Sequence, residues 1–522
     1  MEKLKNKVLH PHRRSRQPEA TTATTTATSP TTTTTQASVG FQHWAVAFIV
    51  CNFNVDIGPE VEFIYPPNVP FSTTDLTSIC FNSFPEQQST ETAEDLTFNF
   101  AISNNSPDIN LSSPQAPHGS PDTFYNCCVF RQEFDDTMKR SFNQRTLCLV
   151  SHHSFLSFYR ELLHRMTESG VISDPTALEA AYSQIMTWPP PSLGRHELPF
   201  LGSLVTLDIA PYHDFPLQGL GTNSLVSDKQ TSITAYEPIG SWDTIMQFMP
   251  CITDLYVVYE KLLLCESVIV IAQSPQLSSE AISSLVDLIR PVPYAGVIRP
   301  YMTMQSEFRS IGIDGGTPRP FLVGITNPFL LKRILAAAEH TDRSRPHILY
   351  LQHYDGPVPT KRHHSLHHKS SRNALLDLPG GGIEVHSPSK RFLKSESSII
   401  SQIESLLKVG DPNRELGPLI RRHFAELTAQ VLSPINRYLA TSNVVTPGGN
   451  HHYASFSLPD FLHDLSKHGT AVKIRGQGPI QRHRARDGIY ESFCHCPNFY
   501  AWLEMKINLE KEASAGLLGS AS

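Results

Sequence analysis

Three stretches decide the fold: CESVIVIAQSP from Cys265 to Pro275, QLSSEAISSLVDLIRPVPYAGVIRPYMTMQ from Gln276 to Gln305, and RPFLVGITNPFLLKRI from Arg319 to Ile334. Residues 267–272 form a short, continuous β-branched run, the pattern of a strand covered on both faces of a sheet. Ser278 reads as an N-cap with Glu280 in the first turn. Ala281, Ile282, Leu285, Val286 and Ile289 then recur at helical spacing as one apolar stripe. Pro291 and Pro293 stop that helix. A second buried run covers 321–326, and Asn327-Pro328 closes it before a short helix at 329–335. Strand, helix, strand, helix in so short a span predicts a parallel α/β sheet. Burying the five aliphatic side chains of the first helix contributes about 8–15 kcal/mol gross, before chain entropy is charged against it.

Outward from this core, composition sets bounds. The 522 residues are 40% hydrophobic and include 40 prolines, so two to four domains diluted by disordered segments are expected. A net charge of -6 provides no general attraction to nucleic acid or to an anionic membrane. Nine cysteines without framework spacing fit a reducing compartment. The longest apolar run, 44–51, is far too short to cross a bilayer. A soluble intracellular chain is expected.

Residues 1–40, basic and then Thr-rich, read as a disordered tail, with sorting or membrane contact as the other use of such a segment. An α+β domain follows at 41–188. Its opening hairpin runs through NVDIGPE, further strands lie near 96–102, 124–132 and 146–150, and two helices close it. A Ser-, Pro- and Asn-rich insertion interrupts it at 104–121. Residues 189–235 read as a linker, with a strand near 200–209, and 236–354 as the central α/β domain. A second insertion covers 355–392. Helices dominate 393–510, where Pro434 is expected to kink the longest, and 511–522 reads as a loose tail.

The motifs of covalent chemistry are absent. There is no GxxxxGK[ST], no HExxH and no GxSxG. Gly315 and Gly316 read as a turn, and His363, His364, His367 and His368 as a mobile loop. Cys494, His495 and Cys496 have no second ligand pair at zinc-finger spacing. Cys127 and Cys128, adjacent in a strand, point to opposite faces. No catalytic residue, cofactor or metal is expected.

An α+β module, a parallel α/β module and then helices is also the order of the DENN-domain family. FQHWAVAFIVCNFNVDIGPEVEFIYPP, FYNCCVFRQEFDDTMKRSFNQRTLCLVS and LEAAYSQIMTWPPP resemble the family's upstream, longin-like part. LLCESVIVIAQSPQLSSEAISSLVDLIRPV, with IRPYMTM and FLVGITNPFL, resembles its central module. LIRRHFAELTAQVLSPINRYLA and CPNFYAWLEMK are similar to its downstream helices. The resemblance is best with subgroup six and covers 41–506 apart from the two insertions. Gln273 departs from the small-residue turn usual before Ser274-Pro275, and relatives carry further helices beyond Lys506.

The resemblance implies a regulatory exchange factor with no bond-breaking apparatus. It would act on a Rab-type small GTPase, from the cytoplasm and peripherally on recycling endosomes. A non-catalytic Rab- or Arf-binding scaffold or effector is the alternative. An exchange factor needs a broad rigid surface, on the order of 2,000 Å² in total. Loops at the carboxyl ends of parallel strands are the usual ligand edge. The expected GTPase-binding residues are therefore Gln273, Ser274, Pro275, Gln276, Arg299, Tyr301, Thr326 and Asn327, joined on the first lobe by Glu60, Glu62 and Tyr65. Replacing Arg299 by Ala is then expected to slow GDP release without lowering the melting temperature.

Overall fold

The computed structural model describes residues 41–86, 95–106, 109, 122–135, 142–172, 176–212, 232–249, 251–340, 345–351, 391–411, 414–442 and 456–519. The tail expected at 1–40, most of both insertions and the histidines at 363–368 lie outside them.

In the first lobe, β1 (Ala47–Asn54) and β2 (Gly58–Tyr65) form the expected hairpin, followed by helix α1 (Thr73–Asn82). Strands β3 (Leu96–Ser103), β4 (Thr123–Phe134) and β5 (Phe142–Ser151) complete an antiparallel sheet in the order β2-β1-β5-β4-β3. Alternation along the strands gives this sheet two buried faces. Cys127 packs into one core with Phe158 and Leu162, and Cys128 into the other with Phe98 and Ile79. Helices α2 (Leu156–Glu168) and α3 (Thr176–Ile185) cover the first face. The stretch expected to be a linker carries a second small sheet, β6 (Gly194–Phe200), β7 (Ser203–Ile209) and β8 (Ile233–Thr234). Its Leu198, Phe200, Val205 and Leu207 join the core of Trp44 and Trp188, so most of 194–209 belongs to the first lobe.

Helices α4 (Trp242–Phe248) and α5 (Asp254–Leu263) lead into β9 (Val268–Ile271). Helix α6 (Pro275–Asp287) starts one turn earlier than its apolar stripe suggests. Ser274 is the cap, accepting from Leu277 N, and Pro275 takes the first helical position, which needs no N–H. Ser278 is buried and donates to Pro300 O at 2.9 Å. Strand β10 (Val297–Met302) was not expected, because Pro300 argues against a central strand. The sheet order β10-β11-β9-β12 resolves this, since β10 is an edge. Strands β11 (Phe321–Ile325) and β12 (His347–Tyr350) flank β9 in parallel, with α7 (Pro328–His340) between them in sequence. Gly324 lets α6 lie directly on β11, because a Cβ there would collide with Ser278 Oγ and Pro300 O.

Among the described residues five helices follow: α8 (Ser397–Val409), α9 (Leu416–Ser442), α10 (Leu458–His468), α11 (Pro479–His495) and α12 (Pro497–Gly519). Pro434 lies inside α9 without ending it. Helix α12 extends past residue 510, where a loose tail is expected; LEKEASAGLL is rich in strong helix formers. The helices share one core with the central module. Tyr259 and Leu262 pack with Phe424, Phe461 and Phe499, and Asn498 bridges Leu262 O at 2.8 Å and Ala295 N at 2.7 Å. The whole is a mixed α/β protein, with an antiparallel sheet, a parallel sheet and a helical C-terminal part.

Burial of His153, like that of His423, favours the neutral ring and so opposes folding in acid. His153 stacks on Phe155 with ring centroids 5.0 Å apart and contacts His43 O through Nε2 at 3.0 Å. Burial pushes it down to about 4 from 6.5. Above pH 6.5 the ring is neutral whether folded or unfolded. Between pH 6.5 and 4 the unfolded chain takes up a proton that the folded chain refuses, so stability falls, by up to about 3 kcal/mol. Urea melts at pH 7.5 and 4.5 should show wild type losing more stability than His153→Phe, and equal losses would remove His153 as the cause.

Candidate functional site

The edge strands β3 and β10 lie alongside each other, with α6 packed against both. At this seam the first lobe reaches the carboxyl edge of the parallel sheet. Glu86, just beyond α1, accepts from Met304 N through its carboxylate at 2.8 Å and from Asn327 Nδ2 at 3.2 Å. Its backbone N–H donates to Tyr301 Oη at 2.8 Å, and its carbonyl accepts from Thr326 Oγ1 at 3.0 Å. Asn82 Oδ1 accepts from Thr303 Oγ1 and Ser306 Oγ. Arg299 Nη2 donates to Ser103 Oγ at 3.1 Å.

The expected site residues therefore divide into three groups. Arg299 is 6% exposed and Tyr301 1%, and the Tyr301 ring enters the first lobe's core against Phe98 at 5.6 Å. Burial pushes the Arg299 guanidinium below its ordinary value and the Tyr301 hydroxyl above its own. These two, with Thr326 and Asn327, face the first lobe, because the chain's own Glu86 occupies the ligand edge. Gln273 is exposed at the start of α6, Ser274 caps it, Pro275 is buried and Gln276 bonds Glu280 at 3.1 Å. Glu60, Glu62 and Tyr65 lie on β2, four strand spacings from β3, about 19 Å across the sheet. Glu60 accepts from Asn54, Glu62 pairs with Arg145 at 2.8 Å, and Tyr65 packs edge-on to Tyr182. The structure does not gather the three groups into one patch.

What sequence reasoning missed is a groove of about 1130 Å³ with three walls. The first lobe supplies Tyr125, Leu156 and the segment Pro190 to Leu193; α6 and its C-terminal loop supply Val286, Arg290 and Tyr294; α12 supplies Ala501, Met505 and Leu509. An ionic chain runs along its floor. Arg290, buried, donates to Tyr212 O at 3.0 Å, and its guanidinium lies 4.8 Å from the Tyr212 ring centre. Asp287 lies 3.7 Å from Arg290 Nη1 and accepts from Arg421 Nε at 2.8 Å, while Arg421 Nη1 reaches Glu237 at 2.6 Å. Despite its burial, Asp287 and Glu237 hold Arg421 above its usual value. Burial pushes the Tyr212 hydroxyl up to about 12. These charges are engaged with one another, which leaves tyrosine, proline and aliphatic surface, with Glu504 and Asn508 of α12, to meet a partner.

The seam predicts stability effects where surface effects were expected. Arg299→Ala should lower stability by about 1–3 kcal/mol and Tyr301→Ala by about 3–5 kcal/mol. Chemical denaturation checks both, and unchanged midpoints would return these residues to the surface.

No family model matches the chain. Among curated proteins it is similar to protein DENND6A of Gallus gallus, 28% identical over 497 residues, covering 90% of this chain and 81% of the other. Protein DENND6A of Mus musculus is 27% identical over 489 residues, covering 90% and 77%. Protein DENND6B of Homo sapiens is 26% identical over 498 residues, covering 90% and 81%. The likeness, sustained across both lobes and the helical part, is to proteins of the DENN domain-containing protein 6 family.

Proposed function

We propose that this protein is a guanine-nucleotide exchange factor for a Rab-type small GTPase. Its place would be cytoplasmic and peripheral on recycling endosomes, and its groove would receive the GTPase switch regions. The observation that carries this reading is the three-walled groove on a frame fixed by the seam, in a chain akin to DENND6 proteins throughout. A GTPase holding GDP at picomolar strength is stabilised by about 16 kcal/mol. A surface that prefers the nucleotide-free conformer weakens GDP binding by that same differential factor, with no bond made or broken. A rigid surface can express such a preference, because it does not relax to fit the GDP-bound form.

Leu193 is the natural anchor, lining the groove while 57% exposed. Gln273, Ser274 and Gln276 would extend the contact along α6, and Glu60, Glu62 and Tyr65 would meet a partner only if it spans the first sheet. Arg299, Tyr301, Thr326 and Asn327 would act through the seam.

Release of labelled GDP across a panel of Rab GTPases tests this. Wild type should accelerate release from at least one member and bind its nucleotide-free form most tightly. Leu193→Asp should slow that release at least tenfold with an unchanged melting temperature. Preference for the GTP-bound form without accelerated release would identify an effector and overturn exchange.

A further inference from the structure

The helical part carries a concentration of positive charge against the chain's net charge of -6. Residues 392–394 and 473–475 run side by side. Arg475 N donates to Phe392 O at 2.8 Å, Lys394 N donates to Lys473 O at 2.9 Å, and Leu393 bridges Ile474. This register sets Lys394 directly opposite Lys473, a like-charge pairing that opposes folding. Lys473 is eased by Glu396 at 3.0 Å. Partial burial and then the Arg475 charge push Arg391 below its usual value.

The first turns of α11 come to the same place. Gly476, at φ +148°, has no Cβ, and one there would meet Arg482 Cγ at 2.9 Å, so the Arg482 stem lies against the residue next to Arg475. Arg482 and Arg484 are exposed in the first two turns of α11. Among the described residues, Arg391, Arg475, Arg482 and Arg484 have no carboxylate within ion-pair distance, and Asp487 is held by Arg486 at 2.7 Å. Ile480, 68% exposed, precedes Arg484 by one helical turn and shares its face.

We propose that this face, built from 391–394, 473–475 and the start of α11, docks on an anionic phospholipid bilayer. The choice of occupant rests on charge complementarity and on Ile480. A bilayer meets one face only, whereas a polyanion extending beyond the patch meets a negative remainder. An exposed aliphatic among cations suits the boundary between headgroups and acyl chains. The assignment is independent of the exchange reading, although it would hold the protein where a membrane-bound GTPase is found.

Co-sedimentation of the full chain tests it, using phosphatidylcholine vesicles with and without phosphatidylserine. Binding should appear only with phosphatidylserine and weaken steeply as salt rises, because exposed charges are screened beyond about 8 Å at physiological ionic strength. The combined variant Arg475→Glu, Arg482→Glu, Arg484→Glu should bind at least tenfold more weakly. Its GDP-release activity in solution should be unchanged, which separates loss of this surface from loss of the proposed function. If charge reversal lowers the melting temperature, the Gln versions of the three substitutions and Ile480→Ser take its place. Equal binding to neutral vesicles, undiminished binding by the variants, or tighter binding to soluble heparin than to the vesicles would overturn the assignment.

Discussion

Glu86 reaches from the end of α1 onto the carboxyl edge of the parallel sheet, where Met304 N–H, the Asn327 amide and the hydroxyls of Tyr301 and Thr326 all find their partner in this one residue. A hydrogen bond contributes about 0.5–1.5 kcal/mol net, so four made to one residue are enough to hold this edge against the first lobe. Around this contact Tyr301 enters the first lobe's core and Arg299 reaches Ser103, so two edge strands from different sheets are held side by side. This also protects both edges from pairing with other chains.

The other elements depend on that seam. Arg160 of α2 reaches Glu280 of α6 at 2.9 Å, and Ser157 donates to Glu237 O at 2.7 Å. Arg421 of α9 then ties Glu237 and Asp287 to the helical part. Buried ion pairs add little net stability, because desolvation offsets their attraction, but they tolerate few alternative geometries. Here they set the positions of the groove's walls. A surface shaped in this way suits a protein whose proposed task is to favour one conformer of another.

Much of the fold could be read from the sequence. Val268–Ile271 and Phe321–Ile325 stand where hydrophobic pattern puts them. Strand β10 was hidden because Pro300 is permitted only at an edge, and edge position is a property of the assembled sheet. Helix α11 was hidden because only Ile489, Tyr490, Phe493 and Cys494 are buried, all near its C-terminal end, while its first turns carry arginines. The site was harder to read. The rule that ligands meet the carboxyl edge of a parallel sheet pointed to Tyr301, Thr326 and Asn327. It could not show that Glu86, 215 residues before Tyr301, already fills that edge. The groove draws its walls from three distant segments, and no local motif marks such a meeting.

Backbone hydrogen exchange at Glu86 and Met304 measures the seam most directly, because both amides are bonded across it. Amides that open only with global unfolding exchange at the rate of the innermost strands. Protection matching that of Ile269 and Val270 in β9 is expected for a fixed frame. Exchange within seconds at Glu86 and Met304, with β9 still protected, would mean that the lobes separate freely and that the groove has no set shape.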